Sequence, residues 1–336
     1  MSLSVLLKGM GTTLPSKRVT NDTYVQNFLE MGIPQAKVDS SLALMSELGR
    51  DVRYLIDPEK DTYFGMAESA ARKALAEANL RAEDVDLLIF VTDTPEYTYP
   101  TNALLLHHAL GVGERAYAFD LNSNCTGMLA GIETASMYLR GHSHCFTALV
   151  VGCTNASSII ARDNVFVDPL FSDGASAVVL QAEVTDEERG VLGGTFLTDS
   201  TQHDVFRYPE AGFTQVHAGD TRSKLRFTPV DVSFFSERWE TMTRCLLDAN
   251  GVKIEEVGHC FFSQFSKPQA EETLARLGIP LEKTTYIGGE FGYTGVNSPM
   301  FALQRAIEDG KIEKDSYVIM ASVGAGYNMS VILLRF

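Results

Sequence analysis

The stretch Cys125-Thr-Gly-Met-Leu-Ala-Gly-Ile132 reads as the start of an amphipathic helix rich in Ala and Gly, ending near Gly141, with the buried strand Ala148-Leu-Val-Val-Gly152 behind it. The same order returns 172 residues later, where Asn297-Ser-Pro-Met-Phe-Ala-Leu303 opens a helix ending at Gly310 and Val318-Ile-Met-Ala-Ser-Val323 follows. From helix start to the glycine that follows, Gly152 or Gly324, the spacing is 27 residues in both halves. Each copy is preceded by an apolar run, Leu87-Leu-Ile-Phe-Val91 or Cys260-Phe-Phe262. Each is followed by another, Ala175-Ser-Ala-Val-Val-Leu180 or Met329-Ser-Val-Ile-Leu-Leu334. The letters scarcely match, but the order strand, helix, strand, strand is shared.

Helices alternating with short buried strands indicate an α/β fold with mixed or parallel sheets, and the duplication indicates two such units packed face to face. The expected division is residues 1–182 and 190–336, with the acidic segment 183–189 as the boundary. An active site is expected between the halves.

Composition narrows the function. At 336 residues and 45% hydrophobic content the chain has enough apolar material for a substantial core. A formal net charge of −15 disfavours nucleic acid or an anionic membrane surface as a partner, and leaves an acidic carrier protein needing a local basic patch. The start of the chain lacks a basic lead-in and a cleavage-site pattern, and no window has the length of a membrane span, so a cytoplasmic protein is expected. Five cysteines without CxxC spacing indicate neither a disulfide framework nor a structural metal site.

One cysteine stands apart. In Phe119-Asp-Leu-Asn-Ser-Asn-Cys-Thr-Gly-Met128 small polar residues lead to Cys125 at a helix start, where unpaired backbone N–H groups and the helix dipole favour a nucleophilic sulfur. Cys145 and Cys153, in or beside an apolar strand, read as packing residues.

This segment resembles the active-site segment of β-ketoacyl-ACP synthase III, a family of thiolase-like condensing enzymes. The likeness continues in family order through Gly9-Met-Gly-Thr-Thr-Leu-Pro15, the loop Thr92 to Pro100, Phe171-Ser-Asp-Gly-Ala-Ser-Ala177, and the ending from Val323-Gly-Ala-Gly-Tyr327 to Phe336. The resemblance implies a thiolase-like fold, two duplicated halves with mixed five-stranded sheets in layers α-β-α-β-α. It also implies that Cys125 carries an acyl group as a thioester, and that backbone amides of Cys125 and of the turn Gly324-Ala325-Gly326 bind the thioester oxyanion.

The family completes its site with a histidine and an asparagine. Matching the motifs without gaps places Ser263 and Tyr293 at these two positions, with Gln264 at the glutamine that follows the histidine. Each replacement can still donate one hydrogen bond. All seven histidines read as solvated or structurally satisfied. The family's tryptophan-containing coenzyme A segment is matched by Leu42 to Arg53, which keeps Gly49, Arg50 and Arg53 without a tryptophan. That favours a carrier-protein-bound acyl donor over acyl-CoA.

Tyr97, Tyr99 and Phe206 are candidates for an acyl pocket or a dimer loop, and Arg222, Lys224 and Arg226 for carrier docking. The implied assembly is a homodimer, and acyl-ACP or acyl-CoA is implied as substrate, with no tightly bound cofactor. The implied activity is acyl transfer, by condensation or to another nucleophile, in fatty acid or secondary-metabolite synthesis. A non-catalytic partner subunit of a condensing-enzyme heterodimer is the alternative, motivated by the missing histidine and asparagine.

Overall fold

Leu87–Val91 forms a strand over the same five residues read from the sequence, and all five side chains are fully buried. A continuous apolar run without a polar face is stable only with both sides of the sheet covered. The structure is a computed structural model describing residues 1–216, 223–229 and 231–336. In chain order its strands are β1 (Ser2–Thr13), β2 (Lys17–Thr20), β3 (Val52–Leu55), β4 (Leu87–Val91), β5 (Tyr117–Leu121), β6 (Thr147–Thr154), β7 (Gly174–Thr185), β8 (Gly190–Thr198), β9 (Phe206–Arg207), β10 (Arg226–Phe227), β11 (Val257–Phe262), β12 (Tyr317–Gly324) and β13 (Asn328–Arg335). The helices are α1 (Asn21–Glu30), α2 (Gln35–Glu47), α3 (Tyr63–Glu77), α4 (Asn102–Leu110), α5 (Gly127–Gly141), α6 (Ala156–Ile159), α7 (Phe234–Ala249), α8 (Lys267–Leu277), α9 (Gly288–Phe291) and α10 (Ser298–Glu308).

Nine strands join in the order β11-β12-β13-β8-β1-β7-β6-β4-β5. The two groups of strands meet at a single parallel pair, Val5 with Gly190. On one side of that seam, β1, β7, β6, β4 and β5 make the first half's five-stranded sheet, with parallel β4–β5 and β4–β6 pairs and antiparallel pairs at β7. On the other, β11 runs parallel to β12, and β12, β13 and β8 are antiparallel. The element corresponding to β5 shrinks in this half to one parallel bridge between Cys260 and Thr284, leaving four full strands among the described residues. The strand β7 continues to Thr185, three residues into the segment read as the boundary.

Three apolar cores make the layering explicit. The central one packs Met128, Leu129 and Ile132 of α5 and Met300, Phe301 and Leu303 of α10 between strands of both halves. Outside the first half, α3 and α4 cover Leu88, Phe90, Leu149 and Val151. Outside the second, α7 and α8 cover Phe262, Ile319, Ala321 and Val331, with the single tryptophan, Trp239, fully buried there. The result is α3/α4, sheet, α5/α10, sheet, α7/α8.

The halves grip each other reciprocally. A Cβ on Gly152, the glycine after β6's apolar run, would overlap Asn297 Oδ1 at the start of the second half's helix. A Cβ on Gly324 would overlap Asn328 Oδ1 and crowd Asn124 Cβ at 3.1 Å, beside the start of the first half's helix. Both glycines are therefore close-approach positions, and the repeated 27-residue spacing is the sequence trace of this contact.

Candidate active site

The turn from β5 into α5 brings Cys125 to its place. Asn124 sits in the left-handed region at φ 49°, which asparagine tolerates better than most residues. Its Nδ2 donates to Ala325 O at 3.1 Å, and Ser322 Oγ donates to Cys125 O at 2.9 Å. Asn328 Nδ2 donates to Ser123 Oγ at 2.7 Å and Thr126 Oγ1 at 3.0 Å. Three residues of the second half's last hairpin, Ser322, Ala325 and Asn328, thus clamp the cysteine turn.

Cys125 is half-buried and lines a cavity of about 190 Å³ with Asp93, Tyr293, Gly324 and Ala325. Phe171, Phe206, Tyr208, Phe235, Phe265 and Tyr327 give it a largely aromatic wall, with Ile159, Ile160 and Leu225 beside them. Burial pushes the Cys125 thiol up to about 12, with the Asp93 carboxylate adding to the rise. The Tyr293 hydroxyl and the backbone N–H groups of Cys125 and Ala325 lie near the sulfur and work in the opposite direction. The two amides are those expected from the resemblance, one at the cysteine and one in the glycine turn.

Ser263 and Tyr293 come together. Ser263 Oγ lies 3.3 Å from the Tyr293 hydroxyl, and both side chains are buried. Tyr293 reaches the cavity, whereas Ser263 sits behind it and is absent from the lining. The order is therefore Cys125, Tyr293, Ser263. Burial and the neighbouring thiol both raise the Tyr293 hydroxyl well above its ordinary value, so it is a neutral donor. The ring is fixed by Phe171 and Phe265 at 5.3 and 5.5 Å and by the Arg50 guanidinium at 5.4 Å. Gln264 is structural: its amide donates to Phe262 O at 2.8 Å and accepts from Ile287 N at 2.9 Å.

The chain matches the profile of 3-oxoacyl-(acyl-carrier-protein) synthase III over residues 119–200 and that of the same family's C-terminal part over residues 247–336. Together these take in just over half of the sequence. The chain belongs to the 3-oxoacyl-(acyl-carrier-protein) synthase III family. It is 29% identical over 338 aligned positions to a β-ketoacyl-(acyl-carrier-protein) synthase III of Rhizobium meliloti, covering 98% of this chain and 99% of that protein. Its fold is similar to the synthase III of Aquifex aeolicus, with a TM-score of 0.85 at 26% identity over 99% of this chain and all of that one. It is also similar to the priming β-ketosynthase of the R1128 polyketide pathway, with a TM-score of 0.86 at 20% identity over 99% and 96% of the two chains. The thiolase-like condensing-enzyme fold expected from the sequence is thereby established.

The remaining candidates divide. Phe206 lines the cavity. Tyr97 does not: it is half exposed and stacks on Phe64 at 6.3 Å. Tyr99 is 92% exposed and points away from this chain's own cavity. Lys224 and Arg226 do not line the cavity but flank Leu225, which does; Lys224 Nζ donates to Ser158 O at 2.7 Å and Arg226 pairs across β9–β10 with Arg207. Arg222 lies outside the described residues, as does His217. No histidine lines the cavity among the described residues. His259, four residues before Ser263, hydrogen-bonds Thr285 Oγ1 at 2.9 Å, and burial lowers it to about 4.

Arg50 and Arg53 are lost to any surface role. Both are fully buried. Arg50 donates to Leu170 O at 2.6 Å, Gln264 O at 2.7 Å and Phe265 O at 2.6 Å, and Arg53 to Pro169 O and Asn21 Oδ1, each at 2.5 Å. Two residues from a family segment associated with coenzyme A serve here as internal ties between loops.

Sequence reasoning missed Asp93. It lies two residues past the end of β4, lines the same cavity as the thiol, and burial raises its carboxyl to about 6. An acidic residue at the carboxyl end of a parallel buried strand stands where α/β folds build their sites, and that was the available signal.

Proposed function

We propose that this chain takes an acyl group from a carrier-protein or coenzyme A thioester onto Cys125 and passes it to a second substrate. The observation that carries this is an aromatic-walled cavity lined together by Cys125, Tyr293 and the glycine turn Gly324-Ala325, with the backbone N–H groups of Cys125 and Ala325 near the sulfur. After acylation these donors are positioned for the oxygen that becomes negative in the tetrahedral intermediate, and each such donor contributes roughly 3 kcal/mol. Thioester exchange is redox-neutral and balances without a cofactor. The buried state of Arg50 and Arg53 and the absence of a tryptophan near them in the sequence favour the carrier-bound donor, and Arg207, Lys224 and Arg226, next in sequence to the lining residues Phe206, Tyr208 and Leu225, offer it a basic contact.

Carbon–carbon condensation with loss of CO₂ has weaker support, because one tyrosine hydroxyl reaches the thiol where the family resemblance places two donors. Acyl transfer to an alcohol, amine or thiol needs no such pair. The chain is proposed to act as a homodimer through the open edge of β5 and the exposed segment Glu96–Pro100, where Tyr99 and Tyr117 present unpartnered aromatic surface.

Intact-mass measurement after incubation with acyl-carrier-protein and acyl-CoA donors tests the proposal. A mass increase of one acyl group, absent in Cys125→Ala, is expected; folded protein that takes no acyl group from any donor removes it. In that event a scaffold subunit becomes the better account, favoured also by the lack of an imidazole in the cavity among the described residues. Co-purification with a second condensing enzyme would mark that role.

A further inference from the structure

Asp93 is placed with more care than a chance carboxylate at a strand end. The residues on either side of it are pinned: Thr92 Oγ1 accepts from the Tyr63 hydroxyl at 2.9 Å and from Thr94 N at 3.0 Å. Thr94 Oγ1 accepts from Asn155 N at 2.9 Å. This holds the Asp93 side chain toward the cavity it shares with Cys125. Its Oδ1 is shielded from solvent and has no hydrogen-bond partner among the described residues. A buried carboxylate oxygen left without a partner is costly, so its retention in the thiol's cavity calls for a use.

The groups that face it come from three elements: Cys125 before α5, Tyr293 before α10, and Tyr63 on α3. Each is neutral at ordinary pH, and no Lys, Arg or His acts on the carboxylate among the described residues. It is therefore a carboxylate with an unpartnered oxygen that shares its cavity with a protonated thiol. The same thiol is held protonated by its surroundings and cannot ionise unaided near pH 7.

We propose that Asp93 is the proton acceptor for Cys125 in the acylation step, resting on the thioester chemistry proposed above. As the Cys125 sulfur forms its bond to the acyl carbon, the thiol proton passes to Asp93 Oδ1. The bond from that carbon to the donor sulfur then breaks, and Asp93 returns the proton to the departing thiolate. One acyl thioester and one thiol enter, one acyl thioester and one thiol leave, and the aspartate ends as it began. A carboxyl poised at about 6 suits the task, ionised enough to accept at neutral pH and acidic enough to give the proton back.

Two opposed changes test this. Replacing Asp93 by Asn keeps the shape, removes the base and removes a negative charge beside the sulfur. Acylation of Cys125 from acetyl- or octanoyl-carrier protein, or from the corresponding coenzyme A esters, followed by intact mass, is expected to slow about 100- to 1,000-fold. Alkylation of the same thiol by iodoacetamide is expected to stay level or speed up, since its ionisation becomes easier. A distorted site would slow both. In the unaltered protein the acylation rate is expected to fall as pH drops below about 6, where Asp93 becomes protonated, and Asp93→Asn is expected to lose that limb.

Acylation of Asp93→Asn within threefold of the parent rate overturns the proposal, as does an unaltered protein whose acylation shows no fall toward pH 5. The latter needs no variant, so a failure of Asp93→Asn to fold does not shield the idea. If the unaltered protein takes no acyl group at all, the nucleophile assignment falls and this one with it. A normal adduct formed at an unchanged rate in the variant removes only Asp93.

Discussion

The two helix starts occupy equivalent places in the duplicated halves, yet one is open and the other sealed. Cys125 borders a cavity, and its thiol meets only amides, a tyrosine and a carboxylate. Asn297 is fully buried: its Nδ2 donates to Thr154 Oγ1 at 3.1 Å, Gly174 O at 3.0 Å and Thr294 O at 3.3 Å, and its Oδ1 accepts from Ser176 Oγ at 2.7 Å. Duplication supplied two sets of free amides and two close glycines. In one half the residue at this place spends its side chain on structure, with both its amide nitrogen and its oxygen partnered. In the other it presents a thiol to a cavity, with the amides of Cys125 and Ala325 near the sulfur.

The contrast can be broken at four points. Cys125→Ala is expected to abolish acyl loading, a fall beyond detection by intact mass, while moving the thermal midpoint little. Asn297→Ala is expected to do the reverse in kind, costing roughly 3 kcal/mol in chemical denaturation because several buried partners lose their hydrogen bonds at once. Normal stability in Asn297→Ala would show that the second helix start is not a structural tie. Tyr293→Phe removes the one side-chain donor on the sulfur and is expected to slow acylation about tenfold, or about 1.4 kcal/mol, in rapid-quench kinetics. Ser263→Ala, one step further back, is expected to slow it only two- to threefold. Equal effects of these last two would mean that Ser263 reaches the substrate itself.

Much of the fold could be read directly, because burial on both sheet faces leaves unbroken apolar runs. Leu87–Val91 is β4 without adjustment, and the run Val318 to Val323 lies within β12. The duplication was legible because packing of each helix start against the opposite glycine fixes a spacing, and spacing survives when letters change. What escaped reading depends on partners far away in sequence. Arg50 looks like any surface arginine after a helix, yet its three acceptors are carbonyls of residues 170, 264 and 265. The shortened fifth strand of the second half left no trace in Thr284, whose β-branched side chain suits a strand, because a ladder's length is set by its neighbour. Cys125 was visible as a candidate nucleophile from its helix start, whereas Asp93 stands out only when the cavity is assembled around it.

The shielded sulfur has a consequence outside acyl transfer. Peroxide attacks thiolates and leaves thiols nearly untouched, and Cys125, pushed up to about 12, is a thiol at every physiological pH. The proposed chemistry, in which the proton leaves only when substrate arrives, would therefore also keep the sulfur from oxidation between turnovers. It should outlast, in dilute hydrogen peroxide, any cysteine enzyme whose nucleophile rests as a thiolate.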